Sequence, residues 1–412
     1  MSPAALLALA LALQTPAGEL QPGPWRAELA SPGGALRFGL WFESGLGLRA
    51  QVVNGRERRE LPAARLHEGE LVLRFDPYDA ELRARLDATG TRLEGAWTKH
   101  SAGRTVSLPF RAEAVPMDSA PADAPPAPAT RAAPGPYHGR WAVDFSASDD
   151  PAVAVLECGP ADDPWIEGTF LTTLGDYRYL DGRWDEKGFT LSCFDGAHAF
   201  LFTARRLPNG TLLGLFCSGD RWFEAWAAVR DDDAALPDAF GLTQAADGVD
   251  LGSLAFPDVS GALRRLDAPA FAGKARIVQL FGTWCPNCND EAPFLAELDR
   301  RYRGRGLSIL GLAFELDDDH AYAAQRVRTY AETYGIDYPI LIAGTSDKQA
   351  ASQAFPLVDR VRAFPTTLFL DASNRVRAVH TGWSGPATGP EHERLVREVE
   401  RLVEELLAEA AR

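Results

Sequence analysis

The sequence predicts a multidomain chain in which two repeated all-β modules precede an α/β domain, and three observations carry that expectation. Short alternating apolar runs separated by turn residues fill most of residues 19–230. Residues 115–136 are dominated by Pro, Ala and Asp, a composition that cannot bury a core and splits the β pattern in two. From residue 253 strand-like and helix-like segments alternate, as in a sheet covered by helices on both faces. A length of 412 residues suits roughly two to three such units.

Ala4 to Leu13 are almost wholly Ala and Leu and lead into Gln14-Thr15-Pro16-Ala17-Gly18, so residues 1–18 are expected to be a signal peptide. The run is too short to cross a bilayer, and no integral membrane span is expected. Met1 to Pro3 lack a Lys or Arg, which keeps a cytoplasmic alternative beside export to the periplasm or another extracytoplasmic space. The net charge of −15 argues against nucleic acid or anionic lipid as partners, since both need a basic surface. No Gly-rich phosphate loop, Ser-x-x-Lys or His-Glu-x-x-His is present.

The first β module, residues 19–114, contains runs such as Leu36–Phe42, Leu71–Phe75 and Thr91–Trp97. After the linker, residues 115–136, the second module occupies residues 137–230 and resembles the first. Gly69-Glu70-Leu71-Val72-Leu73-Arg74-Phe75-Asp76 aligns with Gly188-Phe189-Thr190-Leu191-Ser192-Cys193-Phe194-Asp195. At the same offset Leu82 meets Leu201, Leu93 meets Leu212 and Gly95 meets Gly214. Antiparallel meanders packed as a sandwich or a partly closed barrel are the expected form. Cys193 and Cys217 are candidates for a disulfide across strands, with buried free thiols as the commoner alternative. His198 lies near Asp195, but Asp195-Gly196 is a hairpin signal, and a structural role outweighs acid–base or metal chemistry there.

A helix-poor connection, residues 231–252, leads to the last unit, residues 253–412. Arg276–Phe281 reads as a buried strand, and Leu295, Leu298 and Tyr302 recur at helical spacing after it, with Asp290 and Glu291 in the first turn. Cys285-Pro286-Asn287-Cys288 falls at the junction. That placement puts Cys285 at an exposed helix N-terminus, where unpaired N–H groups favour thiolate over thiol, and Cys288 one turn on. Cys285 is the expected nucleophile and Cys288 its resolving partner. Zinc needs a second pair at matching spacing, which the chain lacks, so no metal is expected. As a structural staple the pair would close too short a loop to stabilise much. No cofactor is expected beyond the redox-active Cys285–Cys288 disulfide.

The motif resembles the active site of a thioredoxin fold, and separated segments extend the resemblance to the TlpA/ResA branch of thiol-disulfide oxidoreductases. Pro293 stands where such proteins kink the active-site helix. Ala363-Phe364-Pro365-Thr366-Thr367-Leu368-Phe369-Leu370-Asp371 is similar to their cis-proline loop and strand, and Gly306–Glu315 to their second parallel strand. Thr172–Tyr179 and the phrase around Asp195 also look like a domain that precedes the redox domain in some exported TlpA-like proteins. The resemblance implies Cys285, Cys288 and Pro365 as catalytic, and Trp284, Pro286, Asn287, Phe364 and Thr366 around the substrate groove. Phe364 departs from the small β-branched residue usual before that proline. Many thioredoxins carry a buried Asp where this chain has Gln279, so another group must accept the resolving proton. Glu315 is the candidate, through its likeness to the active-site glutamate of ResA-like proteins.

The expected function is a thiol-disulfide oxidoreductase, in the reductase or isomerase direction, acting on exported cysteine-containing proteins and recharged by a thiol electron donor. The alternatives are a thiol peroxidase, or a redox-sensing binding protein whose β modules dock a partner. The modules show no convergent acid, base and nucleophile and are expected to be a docking platform without catalysis, so that activity towards a small disulfide would survive deletion of residues 1–250.

Overall fold

The computed structural model describes residues 18–101, 103–116, 135–246, 248–249, 251–271 and 275–411. The expected signal peptide, apart from Gly18, and residues 117–134 of the linker lie outside them.

The first module is a ring of nine antiparallel strands from Gly23–Ser31 to Arg104–Ala114. Each pairs with its sequence neighbours, and the first pairs also with the ninth, so the ring is interrupted only between Glu57–Leu61 and Ala63–His67. In the second module eight strands from Gly139–Phe145 to Trp222–Arg230 close completely, the last seam being Ala152–Cys158 against Trp165–Thr172. Both are barrels and neither is a sandwich. Closure of the second leaves none of its eight ring strands with a free edge, and inward rings fill its lumen: Phe170 lies 4.3 Å from Phe202, which lies 4.5 Å from Phe216. The sequence repeat maps onto equivalent strands. Glu70–Arg74 and Gly188–Phe194 each stand three strands before the one that pairs back to the start of its ring.

The two barrels share apolar packing. Phe194 leaves its own barrel to enter the core of the first, 4.5 Å from Phe38, 5.3 Å from Phe75 and 5.6 Å from Trp97. Asn54 clamps its backbone, donating to the Phe194 carbonyl and accepting from its N–H, both at 3.0 Å. Asp195 is buried and accepts from the Ala197 and His198 N–H groups and from the Tyr78 hydroxyl, so His198 and Asp195 serve this junction. Cys193 and Cys217 do not pair, and all five cysteines are free thiols. Cys193 stands opposite Phe200 while Cys217 stands opposite Leu201, one residue out of step, which sends them to opposite faces of the sheet.

The C-terminal unit is built on five strands in the order Ile340–Thr345, Leu307–Glu315, Ala275–Phe281, Thr366–Asp371, Val376–Thr381. The first three run parallel and the last two antiparallel to their neighbours. Ala275–Phe281 is buried at every residue, as a central strand covered on both faces must be. Helices α1 (Pro286–Tyr302), α2 (His320–Tyr334), α3 (Lys348–Ala354) and α4 (Pro390–Glu409) flank the sheet. On α4 the buried stripe is Leu395, Val399, Val403, Leu406 and Leu407; Leu402, at the edge of that stripe, is half-buried and packs against the same core. Residues of the connection pack here too: the Thr381 N–H donates to Ala239, and its hydroxyl to that of Thr243 at 2.7 Å. No described helix is long and apolar enough to cross a membrane.

Candidate active site

The strand Ala275–Phe281 delivers the dithiol, and Gly282-Thr283-Trp284 turns the chain into α1. Cys285 is the N-cap, with φ −85° and ψ 126°, and Pro286 follows at the first helical position, where a missing N–H costs nothing. The Cys285 sulfur takes the cap role, accepting from the Cys288 N–H at 3.4 Å, and its thiol donates to the Phe364 carbonyl at 3.2 Å. The Phe364–Pro365 peptide is cis. Trp284 donates to the Phe314 carbonyl at 2.9 Å and sets its ring edge-on to Phe364, and the Thr366 hydroxyl donates to Ala363 at 2.8 Å. Asn289, which the sequence reading passed over, holds the turn by donating to the carbonyls of Thr283 at 3.0 Å and Cys285 at 2.7 Å. Cys288 is fully buried, and burial, reinforced by neighbouring Cys285, pushes its thiol well above the ordinary range.

Two buried carboxyls flank this turn. Glu315 accepts from the Thr283 N–H at 3.0 Å and the Thr283 hydroxyl at 2.8 Å, so both its oxygens hold the strand–helix turn; burial raises its pKa and those bonds oppose the rise. Glu291, one turn after Cys288, accepts from Gln279 at 2.6 Å and Thr367 at 2.9 Å. Burial lifts it to about 7, against those two hydrogen bonds, and its charge adds to the rise of Cys288 less than burial and Cys285 do. Gln279 therefore presents a carboxyl supplied by the helix. The sequence placed Asp290 and Glu291 in the first turn; the helix starts at Pro286, so both fall in the second, and only the fold shows that Glu291 points inward.

The expected exposure of Cys285 is not found: it is 4% exposed. The second barrel covers this end of α1. Its hairpin Trp165–Thr172 to Gly175–Asp176 reaches the motif, and the Asn287 carboxamide donates to the Asp176 carbonyl at 3.1 Å and accepts from its N–H at 3.2 Å. A Cβ on Gly175 would lie 1.6 Å from that carboxamide. Asp176 also accepts from the Gly385 N–H at 2.8 Å. Beside it Arg178, 4% exposed, pairs with Glu57 of the first barrel at 2.6 Å, lies 3.9 Å from Asp195, and pairs with Asp290 of α1. One guanidinium thus joins all three units. Burial, with the like charges of Asp176 and Glu57, lifts Asp290 to about 7 despite Arg178. Burial works against the charge of Asp195, yet His198 and Arg178 hold it well below the usual carboxylate range.

Residues 231–394 match the Redoxin family profile. The thioredoxin-like protein YneN of Bacillus subtilis is 28% identical over 110 residues, covering 27% of this chain and 58% of that protein. The thiol-disulfide oxidoreductase ResA of Geobacillus thermodenitrificans is 29% identical over 125 residues, covering 30% of this chain and 63% of that protein. The chain therefore spans about three fifths of these relatives' own length. A solved thiol:disulfide interchange protein from Chlorobium tepidum is 26% identical, with 39% of this chain and 99% of that one covered and a TM-score of 0.29. With the dithiol at the strand–helix junction and the mixed five-stranded sheet behind it, residues 231–394 are a Redoxin domain of thioredoxin-like fold.

Proposed function

We propose that the protein is a thiol-disulfide oxidoreductase that reduces or isomerises disulfides in cysteine-containing proteins. The observation that carries this reading is a nucleophile and its resolving partner held in one turn, Cys285 capped by the Cys288 N–H, with a carboxyl near neutrality beside Cys288. Cys285 thiolate attacks a substrate disulfide, forming a mixed disulfide and expelling one substrate thiolate. Cys288 gives its proton to Glu291 and attacks the Cys285 sulfur. The second substrate thiolate leaves and takes the proton, and two electrons have passed to the substrate. A thiol donor then reduces the Cys285–Cys288 disulfide. Burial alone would keep Cys288 protonated, so a base whose pKa lies near the working pH is the group the step needs. Glu315 is the second candidate for that proton, with both oxygens already engaged by Thr283.

Export is part of this reading and rests on the apolar run Ala4 to Leu13. The test is turnover of a small aromatic disulfide with dithiothreitol as reductant. Cys285→Ser should abolish it, and Cys288→Ser should accumulate a mixed disulfide visible by mass spectrometry. Faster turnover of hydrogen peroxide than of any disulfide would replace this reading with a peroxidase.

A further inference from the structure

The second barrel and the Redoxin domain flank a cleft of about 560 Å³ at the segment that leads into the cis-proline loop. Thr173 and Leu174 of the hairpin tip form one wall. Lys348 and Ser352 of α3 and the segment Arg360–Arg362, which leads into Phe364 and Pro365, also line it, together with Asp150, Leu242 and Thr381. Leu174 keeps 40% of its surface exposed although its backbone is pinned: a Cβ on Gly382 would lie 2.9 Å from its carbonyl, and the Gly382 N–H donates to Pro365 at 2.8 Å. An apolar side chain is thus held in the open, one residue's contact away from the cis-proline.

The charges of the cleft are uneven. Asp150 accepts from the Thr173 hydroxyl at 3.2 Å, and Arg362 is engaged by Asp359 at 3.3 Å. Lys348 and Arg360 are left facing the cleft with no salt bridge among the described residues, in a chain of net charge −15. Partial burial lowers the pKa of Lys348, and Asp150 of the same cleft, then Cys285, oppose that shift.

We propose that this cleft is a substrate-binding site shared by two domains, and that it selects a cysteine-bearing segment with an acidic side chain beside the cysteine. Leu174 packs on the segment, and Lys348 and Arg360 receive the acid. The inference rests on the oxidoreductase reading above. It gives the platform for a partner or substrate expected of the β modules a definite task in the second barrel, choosing the substrate by charge.

The test uses the full chain, dithiothreitol, and three short peptides whose single cysteine is disulfide-linked to a chromophoric aryl thiol and flanked by Glu, Gln or Lys. Each turnover releases the peptide thiol and the aryl thiol and leaves the Cys285–Cys288 disulfide for dithiothreitol to reduce. At low ionic strength kcat/KM should be about tenfold higher for the Glu peptide than for the Lys peptide, two exposed charge contacts being involved. The ratio should shrink in ~1 M salt. In the double variant K348E/R360E, on exposed positions, it should fall to one or invert, and Leu174→Ala should raise KM for all three peptides alike. A wild-type ratio of one, or a ratio that the double variant leaves unchanged, overturns the cleft as a selector. Failure to turn over any of the peptides overturns the oxidoreductase reading and the cleft with it.

Discussion

The first barrel is open between Glu57–Leu61 and Ala63–His67 and takes Phe194, Ala197, Ala199, Leu201 and Cys217 of its neighbour into its core. The second closes on itself, and its own core is filled by its own residues from Tyr137 to Ala228. Phe75 and Phe194 occupy equivalent places in the repeat, and they meet in one core only, the first. Asp76 and Asp195 follow them: Asp76 pairs with exposed Arg74, whereas Asp195 is buried at the three-way junction. Two barrels that share a sequence repeat have therefore taken different duties. One is a receptor for its twin, and the other stands by itself and reaches the dithiol.

Two substitutions test that asymmetry with the largest effects. Arg178→Ala should cost about 3–5 kcal/mol, because Glu57, Asp195 and Asp290 would stay buried without their shared cation. Denaturant unfolding of the full chain reads the loss, and a cost under about 1 kcal/mol would mean that the junction does not join the units. Phe194→Ala should cost a similar ~3–5 kcal/mol. Its signature is location: amide exchange should accelerate at Leu29, Leu36 and Leu82 of the first barrel and leave Phe170 and Phe202 protected. Equal acceleration in both barrels would mean that Phe194 supports its own barrel as much as the first.

What could be read from the sequence was what lies close along the chain. Cys285 to Cys288, the strand before them and the Phe364-Pro365 loop each announce themselves within a few residues, and the Leu82/Leu201 and Gly95/Gly214 matches found the repeat. Alternation gives a strand two faces but does not name the strand it pairs with, so closure of the barrels was not legible. Nor was the covering of Cys285, because Asp176 lies more than a hundred residues from Asn287 in sequence. Helix α3 escaped because it is a seven-residue segment with a single buried residue, Ala351, and no apolar stripe. Gln279 was the useful gap: a missing acid at that place called for another, and Glu291 occupies it from the helix side.

Glu291 is the next test in size. Its folded pKa, about 7, is raised above the ordinary 4.5, so the fold holds a proton that the unfolded chain releases between those values. Stability it confers is fully present below pH 4.5 and is lost as pH rises through 7, roughly 3 kcal/mol in all. Glu291→Gln should remove that fall, and the difference between variant and wild type isolates it from Asp290, which titrates in the same range. The resolving step should rise with pH through 7 in the wild type and flatten in Glu291→Gln, losing about a hundredfold in rate. Glu315→Gln should keep the pH profile while weakening the Thr283 turn. A flat profile in Glu315→Gln and an unchanged one in Glu291→Gln would exchange the two roles.

The smallest expected change bears on the hairpin that only the second barrel sends to the dithiol. Gly175 has φ +144°, a conformation that side-chain-bearing residues rarely adopt, and a Cβ there would sit 1.6 Å from the Asn287 carboxamide. Gly175→Ala must push the hairpin tip away from α1, at about 1–3 kcal/mol for the overpacked contact. Both Asn287 bonds to Asp176 would lengthen, and Cys285, 4% exposed in the wild type, would open to solvent while Cys288 stayed beneath it. Iodoacetamide should then alkylate Cys285 several-fold faster in the reduced variant, with Cys288 modified second in both proteins. Among the described residues the first barrel makes no equivalent contact with α1, so a substitution of Gly103, in a turn of that barrel at φ +71° where a Cβ would meet no atom within 4 Å, should leave the alkylation rate of Cys285 where it was. Equal effects of the two glycine substitutions would show that the cover over the dithiol is a property of both barrels, and an unchanged rate in Gly175→Ala would show that the hairpin does not cover Cys285 at all.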